Sequence, residues 1–220
     1  MSQKFTVLFD LDGTLADTLP VCFEAFRQVL REYLGRHYTD EQVRQLLGPS
    51  EIGIFNDLIP HRSREALASY LNSYERAHRY CREPFKGIRQ ILLSLKERDV
   101  RCAIVTGKGS ESAAISLEIL KLADFFSVVE AGSPNGANKP TAMKRILDFW
   151  KLQSNQVASI GDSQADINAA KEAGIIALGA AWAKTSDPSV LVSLNPAAVF
   201  SSTAEFENWI NEHATSNRNS

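Results

Sequence analysis

The first apolar run of the chain, Phe5-Thr6-Val7-Leu8-Phe9, stops abruptly at Asp10-Leu11-Asp12-Gly13-Thr14. A short run of apolar, β-branched and aromatic residues predicts a buried strand. Side chains alternate along a strand, so Asp10 and Asp12 are expected on one side and Leu11 on the other, with Gly13 breaking the strand beyond them. The hydrophobic period then changes. From about residue 18 to residue 82, apolar positions recur at helical spacing with no strand pattern between them. Val21, Ala25, Phe26, Val29 and Leu30 follow Pro20, and Val43, Leu46 and Leu47 follow a Thr39–Gln42 capping box. Ile54, Phe55 and Leu58 follow the Gly48-Pro49 stop, and Leu67, Tyr70, Leu71 and Tyr74 follow Ser63, read as a helix cap.

After Pro84 the pattern alternates. Helices are predicted over 88–98, 110–122, 141–150 and 164–172, and short strands over 102–105, 126–129, 157–160, 175–178 and 198–200. Alternating strands and helices imply a parallel sheet covered on both faces. The expected fold is therefore α/β: a Rossmann-like, doubly wound parallel sheet core with an inserted helical module, which a family resemblance carried by the strand-end motifs makes a cap domain. The core domain is assigned residues 1–16 and 83–220, and the cap domain residues 17–82. The polar tail from Glu212 to Ser220 is expected to fray.

Composition narrows the function. The chain has 220 residues, 44% of them hydrophobic, and a formal net charge of -2, which gives no sign of a nucleic-acid or membrane-surface partner. Cys22, Cys81 and Cys102 form no Cys-x-x-Cys and read as reduced thiols of a cytoplasmic protein, without a zinc site. The N-terminus lacks a signal-peptide pattern, and no apolar run approaches the roughly 18 residues of a membrane helix. The histidines, at 37, 61, 78 and 213, show no metal-ligand spacing and read as surface or cap residues.

What remains is the polar chemistry at the strand ends. Ile104-Val105 leads into Thr106-Gly107-Lys108, Val128-Val129 is followed across a loop by Lys139-Pro140, and Ser159-Ile160 runs into Gly161-Asp162-Ser163-Gln164-Ala165-Asp166. Taken singly, Thr106 fits a helix cap, Lys139 a solvated loop residue, and Asp162 a cap for the next helix. Parallel strands deliver all of them to one edge of the sheet, where ligand crevices form in open α/β folds. Two acids on one face repel each other, and burial disfavours their charge, so Asp10 and Asp12 need a cation or a shared proton. A magnesium ion with oxygen ligands meets that need. Gly107-Lys108-Gly109-Ser110 is not a nucleotide loop, because position 102 is Cys where the P-loop needs its first Gly.

Asp10-Leu11-Asp12-Gly13-Thr14, Thr106, Lys139 and Gly161-Asp162-Ser163 through Asp166 together resemble the four motifs of the haloacid dehalogenase superfamily, in that family's order. The helical stretch after the first strand is similar to the cap of its phosphoglycolate-phosphatase-like members. The resemblance implies a magnesium-dependent phosphatase acting on a small-molecule phosphate ester through an aspartyl-phosphate. It implies Asp10 as nucleophile and Asp12 as general acid and base. Thr106, the Gly107 amide and Lys139 would hold the phosphoryl group. Asp10, the Asp12 carbonyl, Asp162 and Asp166 would hold Mg2+. Two departures stand out: this chain has Gly107 where many relatives have Asn or another side chain, and Ser163 where some relatives carry a second acid, which points to Asp166 as the supporting carboxylate.

A sugar-phosphate mutase of the same fold and a non-enzymatic binding module remain as alternatives. A phosphonate-cleaving relative would need a cap lysine, and there is none from Leu15 to Glu83. An arginine is the natural partner for a substrate carboxylate. Arg44, near the Gly48-Pro49 turn, and Arg62 and Arg64, beside His61, are the specificity candidates. Oligomeric state is not legible.

Overall fold

The computed structural model describes the backbone of residues 5–215 and the side chains of residues 5–213. A six-stranded sheet runs in the order β3-β2-β1-β4-β5-β6, with β1 (Thr6–Phe9), β2 (Arg101–Val105), β3 (Val128–Glu130), β4 (Val157–Gly161), β5 (Ile176–Ala180) and β6 (Ala198–Phe200). Every pairing is parallel. The chain moves outward from β1 to β3, then returns across the sheet to start β4 beside β1. Connections of opposite direction thus diverge between β1 and β4, the place where doubly wound sheets open a crevice at their carboxyl edge. Phe9 lies opposite Ile104 on one side and Ile160 on the other, so the residues after all three strands emerge at one level.

The strand alternation read from the sequence sorts the core. Val7 and Phe9 face one apolar cluster with Ile104, Leu178 and Phe206, while Leu8 faces a second with Val105, Ile146 and Ile167. Helices cover both faces: α5 (Ile88–Glu97), α6 (Ser110–Ile119) and α10 (Thr203–Thr215) on the first, α7 (Lys139–Trp150) and α8 (Gln164–Glu172) on the second, with α9 (Pro188–Ser193) near β6.

Between β1 and α5 the described chain is helical, with α1 (Leu19–Leu34), α2 (Asp40–Arg44), α3 (Glu51–Leu58) and α4 (Ser63–Ala77). The Thr39–Gln42 capping box forms as expected, with both reciprocal hydrogen bonds present. Ser63, expected as a cap, is instead the first helical residue, and Arg62 takes the cap position without a side-chain bond. Phe26, Phe55 and Tyr70 meet at ring-centroid distances of 4.6–5.8 Å, and the apolar interior of these helices is continuous with the first cluster of the sheet. The segment is stitched to the sheet domain by Tyr74, whose hydroxyl pairs with Ser116 Oγ at 2.7 Å, and by His78, whose Nε2 lies 3.0 Å from the same oxygen. His78, within the stretch expected to form the cap, is therefore buried and faces the sheet domain.

Other boundaries shifted for local reasons. Helix α7 begins at Lys139, not Thr141, because Pro140 fits the first helical turn. Helices α9 and α10 were not anticipated, and α10 makes Glu212–Thr215 helical where fraying was expected; residues 216–220 lie outside the described chain. All three cysteines are buried and free, and burial pushes the Cys22 and Cys81 thiols up to about 11. No described helix is long and apolar enough to cross a membrane.

Candidate active site

A cavity of about 690 Å³ opens at the carboxyl edge of the sheet. Its floor carries Asp10, Asp12, Thr106, Gly107, Lys139, Asp162 and Asp166, brought there from four separate segments of chain. Asp10 follows β1 and is fixed by its amide, which donates to the Ile160 carbonyl at 2.9 Å. Thr106 follows β2, and its amide donates to the Glu130 carbonyl at 3.0 Å. Lys139 opens α7, and Asp162 and Asp166 flank the start of α8. Helix α8 is held by a reciprocal Ser163–Asp166 capping box, which fixes one oxygen of Asp166. Ser163 thus serves Asp166 instead of adding a charge of its own.

Lys139 binds the cluster together. Its ammonium donates to Asp10 Oδ1 at 2.7 Å and to Asp166 Oδ1. Burial opposes a charge there, yet Asp10 and Asp166 outweigh it and hold the lysine well above its ordinary pKa. Asp10, Asp162 and Asp166 each offer a carboxylate oxygen, and these lie within 4.8 Å of one another. One lysine does not balance three buried acids. Burial pushes Asp10 up to about 7 against the pull of Lys139, and burial with the neighbouring Asp10 and Asp166 pushes Asp162 up to about 8. Hard oxygen donors short of positive charge are the donor set that suits a small divalent cation. Gly13 makes the crowding feasible: at φ +78 it adopts a conformation costly for other residues, and a Cβ there would stand 2.1 Å from Asp162 Oδ2.

Asp12 lies past the strand end, in the bend closed by the Asp12–Ala16 bridge, and its carboxylate has separate partners. The Thr18 hydroxyl donates to Oδ1 at 2.5 Å, and Lys108 Nζ stands 3.4 Å from Oδ2. Lys108 and its second partner Glu51, 3.9 Å away, are the residues that sequence reasoning missed. Both are buried. The only hint was a lysine two residues after Thr106; nothing local marks Glu51, whose partners lie more than fifty residues further along the chain. Burial opposes the Lys108 charge, and Asp12, Tyr74, Cys22 and Glu51 together raise its pKa well above the usual value.

The opposite wall comes from the helical segment, with Leu19, Cys22, Phe26, Leu47 and Ile54 lining the cavity beside Arg44. Arg44 is also 3.8 Å from Glu41 and lies over the Phe23 ring. Arg62 and Arg64 are exposed and are not among the lining residues. Arg62 pairs with Glu65 at 2.7 Å and covers the Tyr33 ring, so its guanidinium already has structural partners.

Comparison with known proteins places this geometry. Residues 7–180 match the family model of haloacid dehalogenase-like hydrolases. The pyrophosphatase PpaX of Halalkalibacterium halodurans is 30% identical over 172 residues, which cover 77% of this chain and 80% of that protein. Among solved structures, a haloacid dehalogenase-like family hydrolase from Streptococcus pneumoniae superposes with a TM-score of 0.76 at 24% identity, covering 96% of this chain and 100% of that one. A predicted phosphoglycolate phosphatase from Haemophilus somnus gives 0.73 at 19% identity, covering 95% and 99%. With its motif residues gathered at one sheet edge and the match spanning most of its length, the chain belongs to the haloacid dehalogenase-like hydrolases.

Proposed function

We propose that the protein is a magnesium-dependent phosphatase that hydrolyses a small-molecule phosphate monoester through a phosphorylated Asp10. The observation that carries this reading is the convergence, in one cavity, of Asp10 after the central strand, Lys139 2.7 Å from it, and Thr106 after the next strand. A carboxylate at the bottom of such a pocket can attack phosphorus only if cations and hydrogen-bond donors neutralise the incoming anion. Lys139, the Thr106 hydroxyl and the Gly107 amide supply them.

In this mechanism an Asp10 oxygen forms a bond to phosphorus as the ester P–O bond breaks. Asp12 gives its proton to the leaving alkoxide. A water molecule then attacks the phosphorus of the aspartyl-phosphate while Asp12 takes back a proton, which releases inorganic phosphate and frees Asp10. Mg2+ would be held by Asp10, Asp162, Asp166 and the Asp12 carbonyl, where it supplies charge neutralisation for nucleophile and phosphoryl oxygens. Residues 17–82 act as a cap over a core of residues 1–16 and 83–220. Cap closure removes water from the reacting group and restricts entry to small substrates.

The relative from Halalkalibacterium halodurans is named for pyrophosphate, and the Haemophilus somnus structure for phosphoglycolate. Leu19, Phe26 and Ile54 on the cap wall favour an ester with an organic leaving group over inorganic pyrophosphate. Arg44, the lining arginine among the candidates, is the group to meet a substrate anion. The test is a panel of phosphoglycolate, sugar phosphates, nucleotides and pyrophosphate, assayed for phosphate release with magnesium. Turnover undiminished in chelator, or conversion of a sugar phosphate to an isomer without phosphate release, would overturn the reading.

A further inference from the structure

Lys108 is a buried cation that the proposed mechanism does not use. Its side chain is 1% exposed, and a buried charge persists only where it is paired. The partners come from three parts of the chain. Asp12 Oδ2 lies 3.4 Å from the ammonium, Glu51 Oε1 lies 3.9 Å away, and the Tyr74 ring centroid lies 4.3 Å away. Both ion pairs are long, so the ammonium sits between two carboxylates without closing on either.

Glu51 cannot follow it. The Gly109 amide donates to Glu51 Oε2 at 2.6 Å, and the Ser112 hydroxyl donates to Oε1 at 2.5 Å. These bonds seat the first residue of α3 on the start of α6. Two neighbouring contacts seat the same turn elsewhere on the core: the Ser50 amide donates to the Ser133 carbonyl at 2.9 Å, and a Cβ on Gly53 would stand 2.3 Å from the Pro134 carbonyl oxygen. The start of α3 is thus clamped between the loops that follow β2 and β3, and Glu51 brings a fixed negative charge to Lys108.

We propose that Lys108 is a positioning residue for Asp12, and that Glu51 sets where Lys108 stands, so that docking of α3 on the core orients the carboxyl group that delivers the proton. This rests on the phosphatase reading. With Thr18 on Oδ1 and Lys108 facing Oδ2, each oxygen of Asp12 has one partner, and the carboxyl plane is held. Without Glu51 the ammonium closes onto Asp12 and ties up the oxygen needed for proton transfer. Without Lys108 the carboxyl group turns freely. Either loss harms protonation of the leaving group more than attack by Asp10.

The test compares 4-nitrophenyl phosphate with benzyl phosphate, esters of similar size whose organic groups carry no charge of their own. Nitrophenolate departs without a proton, whereas benzyl alkoxide needs one. The ratio kcat/KM covers the steps up to phosphorylation of Asp10, so later hydrolysis does not enter. Asp12→Asn calibrates the assay: benzyl phosphate should lose far more than the nitrophenyl ester. Lys108→Met and Glu51→Gln should each lower kcat/KM for benzyl phosphate about 10-fold or more, within the roughly 10²–10⁴-fold worth of acid–base catalysis. Loss on the nitrophenyl ester should stay below about 3-fold, against that same scale. The double variant should lose no more than Lys108→Met alone, because both act through one route.

Circular dichroism checks folding. If Lys108→Met fails to fold with two acids left facing each other, Glu51→Gln and the double variant carry the comparison. Equal losses on both esters, no loss on either, or a loss confined to anionic phosphoglycolate would each overturn the proposal. If the wild type turns over neither ester, or Asp12→Asn loses both equally, the phosphatase reading itself fails and the proposal with it. A normal wild type and Asp12→Asn beside an indifferent Lys108→Met removes the proposal alone.

Discussion

At the residue scale the site is a problem of charge density. Asp10 is pushed up to about 7 by burial, yet a nucleophile must be ionised at neutral pH. In the proposed mechanism Lys139 would supply part of the missing positive charge and a bound cation the rest. Asp10→Asn should therefore abolish phosphoenzyme and turnover together, as rapid-quench labelling with a radioactive ester would show. Asp12→Asn should fold and bind phosphate but lose roughly 10²–10⁴-fold in turnover. Gly13 tests the crowding directly. Gly13→Ala forces a side chain into φ +78 and toward Asp162 Oδ2, so stability should fall by about 1–3 kcal/mol and the magnesium requirement should rise. Urea unfolding and magnesium titration of activity read the two effects; wild-type magnesium dependence in that variant would mean Asp162 is not a ligand. Asp10, Thr106, Lys139, Asp162 and Asp166 were legible in the sequence because each follows a strand or opens a helix, where topology alone decides its address. Lys108 and Glu51 were not, because their meaning lies in a contact between segments 58 residues apart.

At the element scale, what was readable followed periodicity. Strand β1 carries two residues to one apolar layer and one to the other, and α1 to α4 were each announced by a helical stripe. Helix α9 has only six residues, too few to show a period, although Asp187 caps it through the Ser189 and Val190 amides. Helix α10 buries Phe206 and Ile210 within a mostly polar stretch, so its stripe is thin. Docking between elements is the least legible part, and α3 shows why. Gly53 in the middle of a helix looks like a weakness, since Ala would favour the helix by about 0.8–1.0 kcal/mol. In the fold it lets α3 lie against the Pro134 backbone. Gly53→Ala should accordingly keep or raise helix content while lowering kcat/KM for small esters at least about 10-fold, the worth of one misplaced positioning contact. Circular dichroism and steady-state kinetics separate these effects. Full activity would show that close approach of α3 to that loop is dispensable.

For the whole molecule, the buried acids link folding to pH and, in the proposed reading, to metal. In metal-free protein Asp10 and Asp162 keep protons up to about 7 and about 8, whereas in an unfolded chain they release them near 3.8. Over that interval the native state binds more protons than the unfolded state, so stability is greatest at the acid end and is lost as pH rises through the folded values. His78 works the other way, its pKa lowered by burial from 6.5, and its contribution is complete once the unfolded imidazole is neutral. Above neutrality the acids therefore dominate the slope. Magnesium held as proposed would bind their ionised forms, so its stabilising effect should grow over the same range, as linkage requires of any ligand that binds only the native state. Melting in chelator should fall between about pH 7 and pH 8, and the rise in Tm on adding magnesium should be larger at the higher pH. Asp162→Asn should flatten the chelator profile and shrink the magnesium shift at both values. A magnesium shift independent of pH, or unchanged in Asp162→Asn, would place the ion away from these three carboxylates and leave their charge to be balanced by Lys139 alone.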